Sequence, residues 1–318
     1  MTSLKITPIA ANLPFGVRVA GIDREALADQ RVRDELKDLF EAQALIVFED
    51  VEQSAAMQVA ISDVFGPMKD HPSEAVPRVD GDAMPGVIDM QQKPNEPGVV
   101  RIGEREVAHW LPWHFDHCYN DELNRAGVLR AIEIAPEGGL TGFVDGIQLY
   151  EDLSPPLRDR IEGKSIVYRM NVILGDMRFG LPEGFAELSF KPWAVKVMDA
   201  AKGTPRAIHP AVWTRASGEK VLHVSPWMAD GIAGEENEVG DALFEAVCQD
   251  ISAKARAYYH TWKPSDMLIW DNWRLLHCVT GIPPQYGRRM QRTTIKGDYG
   301  LGRFENGGTG DKILEMTV

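Results

Sequence analysis

Cysteine is scarce. The 318 residues hold only Cys118, Cys248 and Cys278. No two of them form a metal-type CxxC pair, and the odd, sparse count fits a reducing cytoplasm better than a disulfide framework. Basic residues are outnumbered, with 34 Lys and Arg against 47 Asp and Glu and a formal net charge of −13. That balance argues against nucleic acid or an anionic membrane as the main partner. No apolar run approaches the ~20 residues of a membrane-spanning helix. Met1 to Pro14 carries one Lys and no apolar run with a small-residue cleavage site, so no signal peptide is expected. No G-x-G-x-x-G follows a strand, which removes support for a dinucleotide fold. Neither a repeat nor a dividing linker is visible, so one domain over residues 1–318 is expected. The rest is ordinary for a globular protein, 44% hydrophobic and 25% charged, and long enough to bury a core without staples.

Leu4 to Ala20 reads as a hairpin turning at Pro14-Phe15-Gly16, with Asp23 placed to cap the next element. Arg24–Ala42 and Gln53–Val64 read as helices around a buried strand at Ala44–Phe48. Residues 70–110 are dense in Pro, Gly and Asp. They read as a mobile connection with one short strand at Gly86–Met90. Val128–Ile134 and Thr141–Asp145 read as strands, and Gly146–Arg160 as helical with a start at Ser154-Pro155. Beyond a strand at Ser165–Val172, residues 174–191 look irregular, a candidate lid. Further strands are expected at 207–212, 220–224, 267–270 and 292–296, with a strong amphipathic helix over 241–260. Many short strands between turns, flanked by a few helices, predict a mainly β jelly-roll-type sheet pair.

The chain is organised around Trp113-His114-Phe115-Asp116-His117-Cys118-Tyr119-Asn120. On a strand, His114 and Asp116 point the same way. Together they supply two of the three ligands of a 2-His-1-carboxylate triad for non-haem Fe(II). The third has to be a distant His. Downstream stand Trp270-Asp271-Asn272-Trp273-Arg274-Leu275-Leu276-His277 and Arg288-Arg289-Met290-Gln291-Arg292-Thr293-Thr294.

With Gly138-Gly139-Leu140-Thr141, these motifs resemble the taurine dioxygenase and dichlorophenoxyacetate dioxygenase family of Fe(II)/2-oxoglutarate enzymes. Gly21-Ile22-Asp23, Leu45–Phe48 and Phe65-Gly66-Pro67 are similar to the family as well. The resemblance runs from about residue 10 to about residue 298. Each motif alone is weak, but in order and at family spacing they are specific. The resemblance implies a double-stranded β-helix with the metal at one mouth. It also implies iron ligands His114, Asp116 and His277, and a clamp of Arg288 and Thr141 on the distal carboxylate of 2-oxoglutarate. A planar guanidinium suits that carboxylate bidentately, which Lys does not. Arg292 matches a family Arg that faces the substrate anion, and His71 a His that touches it. Where the sulfonate-using branch has a Tyr near the substrate amine, this chain has Glu74, which opposes taurine itself. Trp113 and Tyr119 then stand beside the mouth and favour a bulkier or aromatic body.

The implied activity uses Fe(II), 2-oxoglutarate and O₂ to hydroxylate a C–H bond of a small or medium organic anion, with cleavage where the hydroxylated carbon bears a heteroatom. Alternatives are a sulfonate or sulfate-ester dioxygenase, a non-catalytic metal-binding jelly roll, and a zinc hydrolase on the same ligands. A cytoplasmic homo-oligomer, dimer or tetramer, is expected. His109 reads as a loop residue, His209 and His223 as core, and His260 as the end of a helix. His117 rivals for iron but should face away from Asp116 as its strand neighbour.

Overall fold

The first hairpin pairs Lys5–Pro8 with Val17–Ala20, as its turn residues predict. In this computed structural model, residues 4–69, 78–79 and 86–307 are described. Asp23 accepts the Ala26 N–H at 2.7 Å and caps a short 3-10 turn. The long helix Gln30–Gln43 begins one step later, at Asp29, whose carboxylate accepts the Arg31 N–H. Val32, Leu36 and Phe40 line its buried face. The second helix, Ala55–Phe65, is capped by Ser54. Both pack through these residues and Met57, Ile61 and Val64 on the outer face of the larger sheet, against Ile46, Phe48, Val128 and Ile269.

Two mostly antiparallel sheets make the body. In the larger, the strands run Lys5–Pro8, Val17–Ala20, Leu45–Phe48, Met267–Asp271, Ala126–Glu133, Arg288–Ile295 and Met68–Lys69, with Ile88–Gln92 also on Arg288–Ile295. In the smaller, the order is Ala186–Ser189, Val99–Ile102, Arg105–His114, Leu275–Ile282, Thr141–Asp145 and Tyr258–His260. Between them lies a core of Leu45, Leu129, Phe143, Leu268, Trp270, Leu275 and Met290. This is the expected jelly roll. A further four-stranded sheet and the helix Glu238–Lys254 pack over a third core built on Phe115, Tyr168 and Phe244. No helix among the described residues is long and apolar enough to cross a membrane.

Several expectations are corrected. Of residues 70–110, the span from 99 onward is a tight hairpin. Val99–Ile102 pairs with the start of Arg105–His114 around Gly103-Glu104, with Gly103 at φ +59. The density of Pro and Gly upstream hid its alternation. The strand after Gly86 is Ile88–Gln92. The last long helix stops at Lys254, and Tyr258–His260 pairs with Thr141–Phe143 as an edge strand. His260 is therefore a buried strand residue, not a helix terminus. The span 174–191 includes a strand, Ala186–Ser189. Pro192–Ala201, a helix with Pro at its first turn, and Leu275–Ile282, the strand that carries His277, were not anticipated.

Candidate active site and metal centre

His114 and His277 sit directly opposite each other on neighbouring antiparallel strands. Directly opposed side chains are close, and here the ring centroids are 4.1 Å apart. Asp116 is not on the strand. The strand ends at His114, and Asp116 opens a turn. The two side chains converge because this turn folds back, which corrects the simple alternation argument. Asn272 holds the turn. Its Oδ1 accepts the Asp116 N–H at 2.8 Å, and its Nδ2 donates to the Asp116 carbonyl at 3.1 Å. The same Nδ2 reaches the Asn124 carbonyl and Oδ1. One fully buried amide thus ties the Asp116 turn to the segment leading into the His277 strand.

Asp116 Oδ1 lies 4.0 Å from His114 Nε2 and 3.8 Å from His277 Nε2. One ligand atom from each residue falls within 4.8 Å of the others. His114 Nδ1 donates to the Pro112 carbonyl at 2.8 Å, which leaves the Nε2 lone pair for the centre. Burial pushes the pKa values of both histidines down, so both are neutral. Burial alone would raise the Asp116 carboxyl. The Arg292 guanidinium, with His277, His114 and His117 around it, outweighs that and holds it well below the usual carboxylate range. Two neutral imidazoles and a carboxylate are in the protonation states that a divalent metal requires, and they are the donor set of the non-haem Fe(II) triad.

His117 follows Asp116 in the turn with φ +63, so strand alternation does not govern it. Its ring lies 5.9 Å from Tyr119, outside the three-atom cradle. Buried Cys278 has its thiol pushed up to about 12 by burial, consistent with a small core residue. His109 is on the Arg105–His114 strand, not in a loop. It is half-buried at φ +56, and burial together with the Arg288 and Lys191 charges pushes its pKa well down.

The facing wall is the Arg288–Ile295 strand, where Arg288, Met290 and Arg292 alternate onto one face. Arg289, Gln291 and Thr293 take the other, bonded to Asp89, Arg130 and Ser62. Arg288 is 3% exposed, and among the described residues its Nη2 has no acceptor. Burial pushes its pKa down to about 10. The Gly138-Gly139 turn makes room for it. A Cβ on Gly138 would meet the Gly281 carbonyl at 2.4 Å, and one on Gly139 would press the Arg288 side chain at 3.3 Å. A cavity of about 150 Å³ is lined by Gly139, Leu140, Trp262, Arg288 and Met290. Thr141 is buried, next in the chain to Leu140 of that lining, and its Oγ1 accepts the indole N–H of Trp262 at 3.0 Å.

Arg292 Nη1 donates to Asp116 Oδ2 at 2.8 Å, so this guanidinium sits on the carboxylate of the His-Asp-His cluster itself. The Trp113 ring lies 6.1 Å from Tyr259. Tyr119 is buried, and burial raises its phenol well above the usual range. His71 and Glu74 lie outside the described residues. Sequence reasoning missed Asn272 as the turn clamp, although it stands inside a motif. It also missed Trp262 and Trp227. The Trp227 ring meets His114 edge-on at 5.1 Å, and among the described residues its buried indole nitrogen has no acceptor. No local pattern marks either tryptophan.

Residues 5–294 match the family described as taurine catabolism dioxygenase TauD, TfdA. An alpha-ketoglutarate-dependent 2,4-dichlorophenoxyacetate dioxygenase of Cupriavidus pinatubonensis is 26% identical over 293 residues, 89% of this chain and 95% of that protein. An (S)-phenoxypropionate/alpha-ketoglutarate-dioxygenase of Sphingobium herbicidovorans is 25% identical, covering 92% and 95%. Among solved structures, a putative alpha-ketoglutarate-dependent taurine dioxygenase from Burkholderia xenovorans superposes with a TM-score of 0.71 at 20% identity, over 99% of this chain and 98% of that one. With the family matched over nearly the whole chain and a His-Asp-His cradle between the sheets, the protein belongs to the TauD/TfdA dioxygenase family.

Proposed function

We infer that this chain oxidises a small or medium organic anion, using Fe(II) on His114, Asp116 and His277, with 2-oxoglutarate and O₂ as co-substrates. As a member of its family it is a 2-oxoglutarate-dependent dioxygenase. The observation that carries the co-substrate reading is Arg288, a buried guanidinium with an open donor and, among the described residues, no carboxylate. A buried charge without a partner is costly, and a carboxylate is its natural complement. His114, Asp116 and His277 would hold the metal, which when bound would supply a centre for a chelating 2-oxo acid and for O₂.

The residues divide the remaining work. Asp116 and the two histidines offer one ligand atom each, all within 4.8 Å of one another, and a three-ligand set of this kind leaves coordination positions for co-substrates. Arg288 and Arg292 share a strand face four residues apart, about 13 Å between backbones at strand rise. That separation lets Arg288 hold the distal end of a dicarboxylate while Arg292 stays at the metal. With the metal loaded, Asp116 would share one oxygen with it and keep Arg292 on the other. The remaining Arg292 N–H groups then face incoming substrate, and Nε has no acceptor among the described residues.

The substrate is an organic carboxylate with an aromatic or ether-containing body, held by Arg292 and His71, with Glu74 and Tyr119 as further candidates. Trp113, the strand neighbour of His114, faces the other side of the sheet beside Tyr259 and drops out of the pocket. Two relatives named for aryloxy carboxylates, each matched over most of its length, support this choice. Another relative is named a sulfate ester dioxygenase, so sulfate esters and sulfonates form the second arm of the test. The experiment measures succinate formed with Fe(II) and 2-oxoglutarate across aryloxy carboxylates, aliphatic carboxylates, sulfonates and sulfate esters. Carboxylates should stimulate most, and Arg292→Ala should raise their KM about ten- to a hundredfold. Stimulation by neutral or cationic compounds alone would remove the anion pocket.

A further inference from the structure

The clamp around the co-substrate has an unassigned member. Trp262 follows the edge strand Tyr258–His260, which pairs with Thr141–Phe143 so that His260 lies opposite Thr141. The indole is 6% exposed and belongs to the core between the two sheets. His260 meets it edge-on at 4.6 Å and 89°. That packing points Nε1 at Thr141 Oγ1, 3.0 Å away.

The direction of this bond is fixed. An indole nitrogen donates and never accepts, whereas a threonine hydroxyl carries a single hydrogen and can do both. Thr141 Oγ1 is therefore the acceptor, and its hydrogen must go elsewhere. Among the described residues it finds no acceptor, and the free Arg288 Nη2 is also a donor. Trp262 and Arg288 line the same cavity. The Arg288 donor is on the cavity wall, and the Thr141 hydroxyl is one hydrogen bond behind that wall at Trp262. Two such donors, neither with an acceptor of its own, suit an oxyanion.

We propose that Trp262 is a positioning residue for the co-substrate: by donating to Thr141 it turns the threonine hydroxyl into a one-way donor to the distal carboxylate held by Arg288. The inference rests on the 2-oxoglutarate reading above. Without the indole N–H, the Thr141 hydroxyl regains its freedom to rotate and to spend its hydrogen on a neighbouring oxygen. The carboxylate then keeps Arg288 but loses an oriented neutral donor. Trp262 touches the co-substrate through Thr141, so its effect should fall on 2-oxoglutarate affinity and leave the primary-substrate KM alone.

The test is a double-mutant cycle of Trp262→Phe and Thr141→Val, read by calorimetric titration of 2-oxoglutarate into Mn(II)-loaded protein without turnover. Steady-state kinetics of the Fe(II) enzyme give the KM and kcat comparison. Trp262→Phe should weaken binding about three- to tenfold, the range expected for one hydrogen bond, and Thr141→Val by at least as much. The double variant should be no weaker than Thr141→Val alone, because one residue acts through the other. Thr141→Ser keeps the hydroxyl and should bind like wild type, and Trp262→Phe should weaken it by the same factor. That arm replaces the Val arm if Thr141→Val fails to fold. Additive losses in the cycle, or affinity within twofold of wild type for Trp262→Phe, overturn the proposal. Failure of the parent reading looks different: wild-type protein would then not bind 2-oxoglutarate, or Arg288→Ala would bind it unchanged.

Discussion

Removing the Asn272 amide should damage both the fold and the metal site. Asn272 is completely buried, and its side chain accepts from the Asp116 N–H and donates to the Asp116 and Asn124 carbonyls and to Asn124 Oδ1. In Asn272→Ala, the Asp116 N–H and the two carbonyls lose these partners in a dry interior. An orphaned buried polar group costs about 1–3 kcal/mol, and the partners will relax partly, so a total loss of about 3–5 kcal/mol is expected. That is a large share of the roughly 5–15 kcal/mol that holds a domain together. Metal affinity should fall about ten- to a hundredfold, the usual range when a group that orients a ligand is removed. Asn272→Asp makes a sharper comparison. It keeps the size and the acceptor for the Asp116 N–H, but it points a carboxylate oxygen at three other oxygens. It should therefore bind metal at least as poorly as the alanine variant. The assay pairs denaturant unfolding with Mn(II) titration of the metal-free protein. An alanine variant that loses less than about 1 kcal/mol and binds Mn(II) like wild type would refute the idea that Asn272 sets the Asp116 turn.

His114→Ala, Asp116→Ala and His277→Ala should each abolish metal binding and succinate formation, whereas His117→Ala should keep metal by titration. The two metal-site histidine variants should unfold near wild type, and Asp116→Ala should lose stability because it leaves the Arg292 guanidinium unpaired. Arg288→Ala should raise the 2-oxoglutarate requirement at least tenfold with little change in primary-substrate KM, the reverse of Arg292→Ala in the same kinetic comparison. Acid should destabilise the fold through two histidines that burial holds down, His209 to about 4 and His223 to about 3. Because their folded pKa values lie below the unfolded value of about 6.5, the unfolded chain binds more protons as pH falls, and stability drops from about pH 6.5 toward 4 by up to about 1.4 kcal/mol per unit for each histidine. His209→Gln should lower that slope by about one proton in unfolding measured against pH; an unchanged slope refutes the assignment. Asp145→Ala leaves the buried Arg274 guanidinium without its bidentate partner and should cost about 3–5 kcal/mol in denaturant unfolding.

What was legible in the sequence is what repeats locally or sits in a motif. The helix expected over Gln53–Val64 and closed by Phe65-Gly66-Pro67 is found at Ala55–Phe65, where the Ser54 side chain sets its start. The strand Leu45–Phe48 is four apolar residues, all completely buried. His114 and Asp116 draw attention as an H-x-D pair of ligand types, while His277 and Arg288 enter as candidates only through the resemblance of their motifs to the family. The proximity of His114, Asp116 and His277 is visible only in the folded chain. Other features depend on pairing across the chain. Leu275–Ile282 reads as an ordinary stretch until it is flanked by Arg105–His114 and Thr141–Asp145. Tyr258–His260 was absorbed into the preceding helix because only its partner strand, distant in sequence, makes it extended. The Trp262 contact with Thr141 spans 121 positions, and no local pattern encodes it.

The two sheets divide the chemistry between them. Both histidines hang from the smaller sheet, and both arginines from the larger. Asp116 belongs to neither, so its place depends on bonds that cross between them: Asn272 fixes its backbone and Arg292 its free oxygen. A change in sheet spacing would move the arginines relative to the His-Asp-His cradle while leaving the histidine pair intact, because His114 and His277 are register partners on adjacent strands. Damage to the inner core at Met290, between the two arginines, should therefore reach the anion contacts first, whereas Phe143 and Trp270, whose rings lie 6.4 and 5.0 Å from that of His277, bear on the imidazole directly. Gly127 illustrates how tightly that spacing is set. A Cβ there would meet the Trp270 ring at 2.3 Å, and Trp270 packs 5.0 Å from His277. One methyl group on the larger sheet would thus press, through a single indole, on His277 of the smaller.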